Sequence, residues 1–183
     1  MILRLQKIFK MGYKGREKGF ISLRDRLCVE AEMSDINLDE IDRKILKMLQ
    51  EDAKTPYSRI SEELGISEAT VHLRIKRLIK MGVIKGFQAI IDPVKVGKGV
   101  TAIIAINSEP KMYEKVLETL KGFEDIYEIY DVTGDYYAIL KVRVGNRDEL
   151  ARILDRIGEI NGIKSTKTMY VLRTIKEENK INL

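Results

Sequence analysis

Residues 57–82 read YSRISEELGISEATVHLRIKRLIKMG, and this stretch predicts two helices joined by a tight corner. The first helix, Tyr57–Leu64, is short and amphipathic, and it ends at Gly65, a residue type that commonly terminates helices. Ser67 is a suitable N-cap for the next helix, Glu68–Met81. The pattern is typical of a helix-turn-helix, whose second helix enters the DNA major groove.

The second predicted helix has an apolar face and a basic face. At about 100° per residue, a single apolar arc contains Val71, Ile75, Leu78 and Ile79. No Asp or Glu occurs in residues 69–91, whereas five Lys or Arg do. In a recognition helix, the first half meets base edges and later residues lie near phosphates. We therefore expect two groups of DNA contacts. The residues expected to contact bases are Ala69, Thr70, His72 and Leu73, and those expected to contact phosphates are Arg74, Lys76, Arg77 and Lys80. Ser67 at the helix start and Lys85, where a wing would begin, are also expected to contact DNA.

A solvated basic face is the alternative interpretation of this helix, because most runs of charge are simply exposed to water. Leu73 separates the two interpretations. Exposure of a leucine to water is unfavourable in free energy unless the side chain meets an apolar group such as a thymine methyl. Leu73→Ala should then change the preference at one base position. Arg77→Ala should weaken binding to all sequences and flatten its salt dependence. His72 is the single histidine, and a DNA-facing position accommodates it.

Towards the N-terminus, a further helix is expected from Leu38 onward. Residues 34–37 offer cap residues, the first turn is acidic, and apolar residues follow at helical spacing. Residues 1–34 lack clean periodicity and are basic, so they form either a loosely ordered arm that attracts phosphate or an artefact of start-site assignment.

Towards the C-terminus, the periodicity changes to short β-prone segments. A strand is expected over Ile84–Ile91, and Gly97 and Gly99 mark a hinge. The order βαββαβ follows, with strands Val100–Ile106, Ile126–Val132, Tyr136–Val144 and Ser165–Ile175 and helices Lys111–Leu120 and Arg147–Ile160. This order is the split ferredoxin-like arrangement of an antiparallel sheet with both helices on one face.

The predicted fold class is therefore α+β, a winged helix-turn-helix joined by a β hinge to a ferredoxin-like domain. The expected divisions are an extension (1–34), the winged helix-turn-helix (35–86), the hinge (87–99), the ferredoxin-like domain (100–176) and a tail (177–183).

Composition bounds the class of protein. The chain has 183 residues, of which 44% are hydrophobic and 33% charged. This composition excludes the class of proteins that consist of a disordered tail. No apolar run approaches the roughly 18 residues of a membrane span, and Cys28 is the only cysteine. We expect a soluble cytoplasmic protein without metal, cofactor or membrane partner. Residues 1–32 contain eight of the 33 basic residues and four of the 28 acidic ones, so the rest of the chain is near neutral and DNA binding rests on local clustering of charge.

Residues along most of the chain resemble the Lrp/AsnC regulators, also called feast/famine regulatory proteins. The resemblance is carried by Leu38, Asp39, Asp42, Ile45, Leu46 and Leu49, then by Ile60, Leu64, Gly65, Ser67, Thr70, Val71, Arg74, Ile75, Leu78, Gly82, Val83 and Ile84, and then by Asp92 and Pro93. It extends from Leu38 to Ile175 and includes Thr133 and Gly134 between the middle strands. It implies a DNA-binding helix-turn-helix, and a C-terminal domain that dimerises through its sheet, assembles into tetramers or octamers and often binds an amino acid.

By position, the resemblance implies an effector site at Thr133, Gly134, Asp135, Tyr136, Tyr137, Thr166 and Thr168. The family often has Asp where this chain has Tyr137, so either Asp135 accepts from the ammonium group, or the specificity differs, or nothing binds. A plain hairpin turn also accounts for Gly134. Sheet packing or dimer contacts account equally well for four tyrosines, Tyr127, Tyr130, Tyr136 and Tyr137.

Three functions are consistent with this organisation. The first is a dimeric regulator that reads pseudo-palindromic double-stranded DNA. The second is an architectural protein that compacts DNA with little base preference. The third is an enzyme, because haem-pathway decarboxylases resemble this two-domain architecture. Residues 73–183 contain no histidine to serve as proton donor, and no nucleophile set or phosphate loop is present, so we expect no enzyme.

Overall fold

The computed structural model describes residues 37–183, which divide into two compact units. The helical unit contains residues 37–90 together with the C-terminal residues 175–183, and the sheet unit contains residues 91–174. The basic extension expected at residues 1–34 lies outside the described residues.

Three helices form the helical unit: α1 (Glu40–Glu51), α2 (Tyr57–Leu64) and α3 (Glu68–Lys80). The cap of α1 is Asp39, whose side chain accepts from the Asp42 N–H in a capping box. The cap predicted within residues 34–37 is therefore wrong, because the first turn finds its acceptor closer to the helix.

The corner between α2 and α3 has the predicted geometry. Gly65 adopts φ 65°, a left-handed conformation that side chains disfavour, and the Ser67 side chain accepts from the Thr70 N–H. The core of this unit consists of Ile45, Leu49, Ile60, Val71 and Ile75. Helix α2 contributes a single buried side chain, Ile60, and Leu64 of the same helix packs against this core while partly buried.

No strand forms over residues 83–99, which contain turns and irregular backbone. The strand predicted over Ile84–Ile91 is therefore wrong within the single chain, because a β-strand needs a hydrogen-bonded neighbour and none lies beside it. Phe87, Ile90 and Ile91 are consequently exposed.

The sheet unit has the predicted βαββαβ order. Its elements are β1 (Val100–Ser108), a 3₁₀ turn (Pro110–Met112), α4 (Tyr113–Lys121), β2 (Ile126–Asp131), β3 (Ala138–Val144), α5 (Arg147–Gly158) and β4 (Ile163–Tyr170). The strands pair antiparallel in the order β2-β3-β1-β4. The prediction of a ferredoxin-like α+β domain is confirmed.

Strand β4 ends at Tyr170 rather than at the predicted Ile175 because its partner ends there. Tyr170 lies opposite Ala102, and the Val171 N–H donates to the Thr101 carbonyl 3.0 Å away. Strand β1 begins at Val100, so later residues of the chain have no backbone to pair with.

The two faces of the sheet differ in burial. The face towards the helices carries most of the core, which contains Val100, Ala102, Ile104, Ile106, Leu140, Val142 and Val144 from the strands and Val116, Leu120, Leu150, Ile153 and Ile157 from the helices. The opposite face includes Ile103, Ile139 and Met169, which are only partly covered. An apolar face is therefore left without a covering layer in the described chain.

The end of the chain returns to the helical unit. The Gln50 side chain accepts from the Ile181 N–H at 2.6 Å and donates to the Ile181 carbonyl at 3.0 Å, so one amide pairs with both backbone groups. Residues 175–183 therefore belong structurally with helix α1.

Candidate functional site

The exposed side of α3 carries most of the predicted DNA contacts. Val71, Ile75 and Leu78 are buried, whereas Leu73 is 65% exposed. The exposed predicted residues are Ala69, His72, Leu73, Lys76, Arg77 and Lys80. Ile79, predicted for the apolar arc, is 48% exposed, so the buried face is narrower than the spacing suggested. A surface that contacts both thymine methyl groups and phosphates needs an apolar side chain beside cations. Leu73 lies on the same exposed side of α3 as Lys76 and Lys80.

The start of α3 has the predicted residues in a capping arrangement. The Ser67 and Thr70 hydroxyls lie 2.8 Å apart, and Thr70 is half-buried. Both hydroxyls are therefore already hydrogen-bonded to each other at the end of the helix that a groove-binding helix presents to base edges.

His72 contacts a residue that the sequence analysis did not single out. The ring of Tyr57, the first residue of α2, lies with its centroid 5.9 Å from that of His72 at an interplanar angle of 52°. The two rings bring the start of α2 beside the second turn of α3. A Tyr at the first position of a helix carries no recognisable signal in sequence, so only the fold identifies this pair.

Two of the predicted phosphate contacts are also partners of carboxylates on the first helix. Arg74 Nη1 donates to Asp39 Oδ2 at 2.6 Å and to Asp42 Oδ1 at 3.0 Å. Arg77 Nη2 donates to Asp42 Oδ2. We call Asp39, Asp42, Arg74 and Arg77 the Asp–Arg network. It links the N-terminus of α1 to the second and third turns of α3.

The side chain of Asp42 is fully buried, whereas Arg74 and Arg77 are 24% and 47% exposed. The Arg74 guanidinium beside Asp39 holds the pKa of that carboxyl below its usual value of 3.8, and the same pair raises the pKa of Arg74. Because the Asp39 pKa is lowered on folding, its contribution to stability is present above its usual pKa and is lost as acid protonates it.

A signal for this network exists in the sequence. Asp42 precedes Ile45 and Leu49 by three and seven residues, so it lies on the face of α1 that packs into the core. A carboxylate on such a face needs a buried partner. The partner lies 32 to 35 residues away, and the pattern of one helix cannot identify it.

The remaining predicted cations point to solvent without carboxylate partners. Within residues 37–183, Lys76, Lys80 and Lys85 form no ion pair. Lys85 lies in the irregular segment that follows α3. These three lysines are available to bind anions.

The predicted effector residues lie at one end of the sheet. Gly134 has φ 117° in the turn between β2 and β3. The Val132 N–H donates to the Tyr137 carbonyl at 3.1 Å, and the Tyr137 N–H donates to the Ile106 carbonyl at 3.0 Å. Thr166 pairs with the same Ile106 from the other side. Tyr137 and Thr166 therefore flank one residue of β1.

The other predicted effector residues are distributed around this point. Thr133, Gly134 and Asp135 are exposed, and Tyr136 is half-buried. Thr168 lies opposite Ile104, two residues further along β4 from Thr166. The two threonines consequently share one face of the strand.

Tyr137 is held by Tyr113, the first residue of α4, which the sequence analysis missed. The Tyr113 hydroxyl donates to the Tyr137 carbonyl at 3.1 Å, and the two ring centroids lie 5.3 Å apart. The side chain and the backbone of Tyr137 are therefore both in contact with Tyr113. Tyr127 and Tyr130 are about half exposed, on the neighbouring strand.

Two properties bear on other functions. Within residues 37–183, no helix is long and apolar enough to cross a membrane. The same residues contain no group of three His, Cys, Asp or Glu side chains that could hold a metal ion.

Comparisons with known families match both units. Residues 38–85 match a winged helix-turn-helix DNA-binding family, and residues 101–181 match the Lrp/AsnC ligand binding domain. The matches coincide with the helical unit and with the sheet unit and its continuation.

Among curated proteins, the chain is 44% identical to the HTH-type transcriptional regulator FL11 of Pyrococcus horikoshii, over 80% of this chain and 97% of that protein. It is 39% identical to the regulatory protein AsnC of Haemophilus influenzae, over 76% of this chain and 98% of that protein.

Solved structures agree. Escherichia coli AsnC superimposes with a TM-score of 0.76 at 29% identity, covering 79% of this chain and 99% of that one. A Neisseria meningitidis regulator in complex with L-Met superimposes with a TM-score of 0.75 at 22% identity, covering 80% and 97%, and at that identity it supports the fold alone.

Proposed function

The chain belongs to the Lrp/AsnC family of transcriptional regulators, and from this premise we propose how its own residues work. We propose that it reads pseudo-palindromic DNA sites as a dimer or a higher oligomer, and that an amino acid modulates binding. The observation that carries the proposal is Leu73, an apolar side chain 65% exposed on a helix face that also presents Lys76 and Lys80.

We assign the DNA contacts by depth along α3. Base edges meet the first half of the helix, and phosphates meet its second half and the segment beyond. The proposed interface comprises Ser67, Ala69, Thr70, His72, Leu73, Arg74, Lys76, Arg77, Lys80 and Lys85. The exposure of Leu73 and of the unpaired lysines supports this division.

Homodimerisation is proposed through surfaces left open in the single chain. The uncovered sheet face carries Ile103, Ile139 and Met169, and the segment after α3 exposes Phe87 and Ile90. Apolar surfaces of this kind are typical of association sites. We propose that the dimers assemble further into tetramers or octamers. A two-fold dimer places two copies of α3 on DNA about one helical turn apart.

The effector site is proposed at the sheet end that contains Thr133, Gly134, Asp135, Tyr136, Tyr137, Thr166 and Thr168. The hydroxyls of the exposed threonines there suit a carboxylate, and the exposed Asp135 suits an ammonium group. Residues 101–181 match the Lrp/AsnC ligand binding domain, which supports a bound ligand, and the resemblance to that family gives an amino acid as its class. We propose no enzymatic activity, since the family consists of transcriptional regulators. We propose the cytoplasm as its place of action, since its relatives are transcriptional regulators of archaea and bacteria.

Selection of bound duplexes from a random DNA pool tests this function, run in parallel with and without a mixture of amino acids. We expect a pseudo-palindrome whose half-sites are about 10 base pairs apart, and a change in yield or motif with amino acids. Binding without any motif would favour DNA compaction instead. Absence of binding would overturn the proposal.

Leu73→Ala should change the preferred base at one position of each half-site, because the methyl contact of the leucine is lost. The expected loss of discrimination at that position is at most about 1 to 3 kcal/mol, the usual cost of one mismatched base pair. Lys80→Ala is the matched control: it should weaken all sequences alike and lower the salt slope by about 0.9. The measurement is the binding constant for a panel of single-base variants at several salt concentrations. Uniform weakening by Leu73→Ala would contradict a base contact.

A further inference from the structure

We propose that Asp42 is a positioning residue for DNA binding, which holds the guanidinium of Arg77 in the orientation that meets a phosphate. The inference rests on the proposed DNA interface and adds a residue that does not itself touch DNA. It concerns the Asp–Arg network, in which the side chain of Asp42 is fully buried and the side chain of Arg77 is 47% exposed.

The carboxylate of Asp42 has no freedom to reorient. Its side chain is fully buried, its Oδ1 accepts from Arg74 Nη1 and its Oδ2 accepts from Arg77 Nη2. A second donor to Oδ2 is the Asp39 N–H at 3.3 Å. A buried charge is tolerated only when such partners surround it, so the anchor point for the arginines is fixed.

The two arginines of the network have different surroundings. Arg74 is 24% exposed, and its Nη1 is shared between Asp39 and Asp42, so it mainly links α1 to α3. Arg77 is 47% exposed and contacts Asp42 through Nη2. A guanidinium has five N–H donors in a rigid plane, so holding it at Nη2 still leaves donors for another partner.

The solvent side of Arg77 is the side on which phosphates are expected. Lys76 and Lys80 flank it in sequence and are exposed on the same helix. A side chain held before binding loses less conformational entropy when it contacts its partner. Asp42 therefore improves a phosphate contact although its own charge repels DNA.

The opposing signs of these two effects provide the test. Asp42→Asn removes a negative charge from the DNA-binding unit, and charge alone predicts tighter binding. Loss of the anchor predicts weaker binding to all sequences, by about tenfold if one charge-assisted hydrogen bond is lost. The measurement is affinity for the selected duplex and for random duplex, at a temperature where thermal denaturation shows each protein folded.

Glu68→Gln is the matched control for charge. Glu68 is exposed at the start of α3, so its replacement removes the same charge without touching the Asp–Arg network. We expect this variant to bind DNA as tightly as the unaltered protein or more tightly. If the Asp42→Asn variant binds DNA as tightly as the Glu68→Gln variant, the proposal is overturned.

Arg77→Lys provides a second measurement that does not depend on the stability of the Asp42 variant. The substitution keeps the charge but replaces the planar fork by a single ammonium group, which cannot hold a fixed orientation between two anions. We expect about tenfold weaker binding to all sequences, whereas Arg43→Lys, at an exposed position of α1 outside the proposed interface, should leave binding unchanged. If the Arg77→Lys variant binds DNA as tightly as the unaltered protein, the proposed positioning of Arg77 by Asp42 is contradicted. If the unaltered protein binds no DNA, the proposed function fails first and this inference with it.

Discussion

Replacing Ile60 by alanine should unfold the helical unit and abolish DNA binding while the sheet unit remains folded. Ile60 is fully buried and is the one buried side chain that α2 contributes to the core. Truncation of a buried isoleucine to alanine costs about 2 to 5 kcal/mol. A unit the size of residues 37–90 is expected to have a stability of only about 3 to 8 kcal/mol. The loss is therefore comparable to the whole stability of the unit.

Chemical denaturation followed with a DNA-binding assay checks this expectation. The two units have separate cores, so we expect two transitions, of which Ile60→Ala shifts only the one belonging to the helices. Glu62→Ala, at an exposed position of the same helix, should shift neither. Ile60→Val should cost only about 0.5 to 1.5 kcal/mol. DNA binding by Ile60→Ala with unaltered affinity would show that α2 is held by something other than this side chain.

Gly162→Ala should destabilise the sheet unit by about 2 to 5 kcal/mol, from backbone strain and overpacking together. A Cβ at this position would lie 2.5 Å from Met112 Cβ, and the backbone has φ 99°. The obstructing atom belongs to the root of the methionine side chain, so no rotamer change of Met112 removes the overlap. The backbone of one of the two segments has to move.

Gly158→Ala is the matched control four residues earlier. That glycine ends helix α5 with open space where a Cβ would be, so alanine should be neutral or stabilise by about 0.5 kcal/mol. The measurement is the midpoint of the sheet-unit transition. Equal midpoints for the two variants would contradict the close approach of Gly162 to Met112.

The same substitution should also affect the proposed effector site. The Gly162 carbonyl accepts a hydrogen bond from the Glu109 N–H at 2.7 Å. The residues after Glu109 lead into α4, whose first residue, Tyr113, contacts Tyr137. Displacement of this segment moves the tyrosine pair. We therefore expect a weaker response to amino acids even where Gly162→Ala remains folded.

Local signals were sufficient to predict the helices. Ser67 and Gly65 act within one turn of their own positions, and the alternation of buried and exposed residues on α3 follows from its own periodicity. The family was predicted correctly because residues typical of it are found at many positions along the chain. Helix α1 begins at Glu40, two residues later than the predicted Leu38, because Asp39 caps it.

Features that depend on distant partners could not be predicted in the same way. Ile84–Ile91 has the residues of a strand, but a strand exists only beside another one. The end of β4 is set by the beginning of β1, some 70 residues away. Arg74 and Arg77 were predicted as phosphate contacts from helix α3 alone, and their carboxylate partners on α1 became visible only in the fold. The roles of both arginines at DNA stay predictions.

The pairing of Gln50 with Ile181 determines where a fusion partner would be carried. A fluorophore or purification tag attached after Leu183 follows the docked residue by only two positions, so it is tethered to the helical unit although the preceding strand β4 belongs to the sheet unit. Such a label would lie beside the last turn of α1, at the other end of that helix from the Asp–Arg network. A label there therefore reports on the helical unit rather than on the sheet unit.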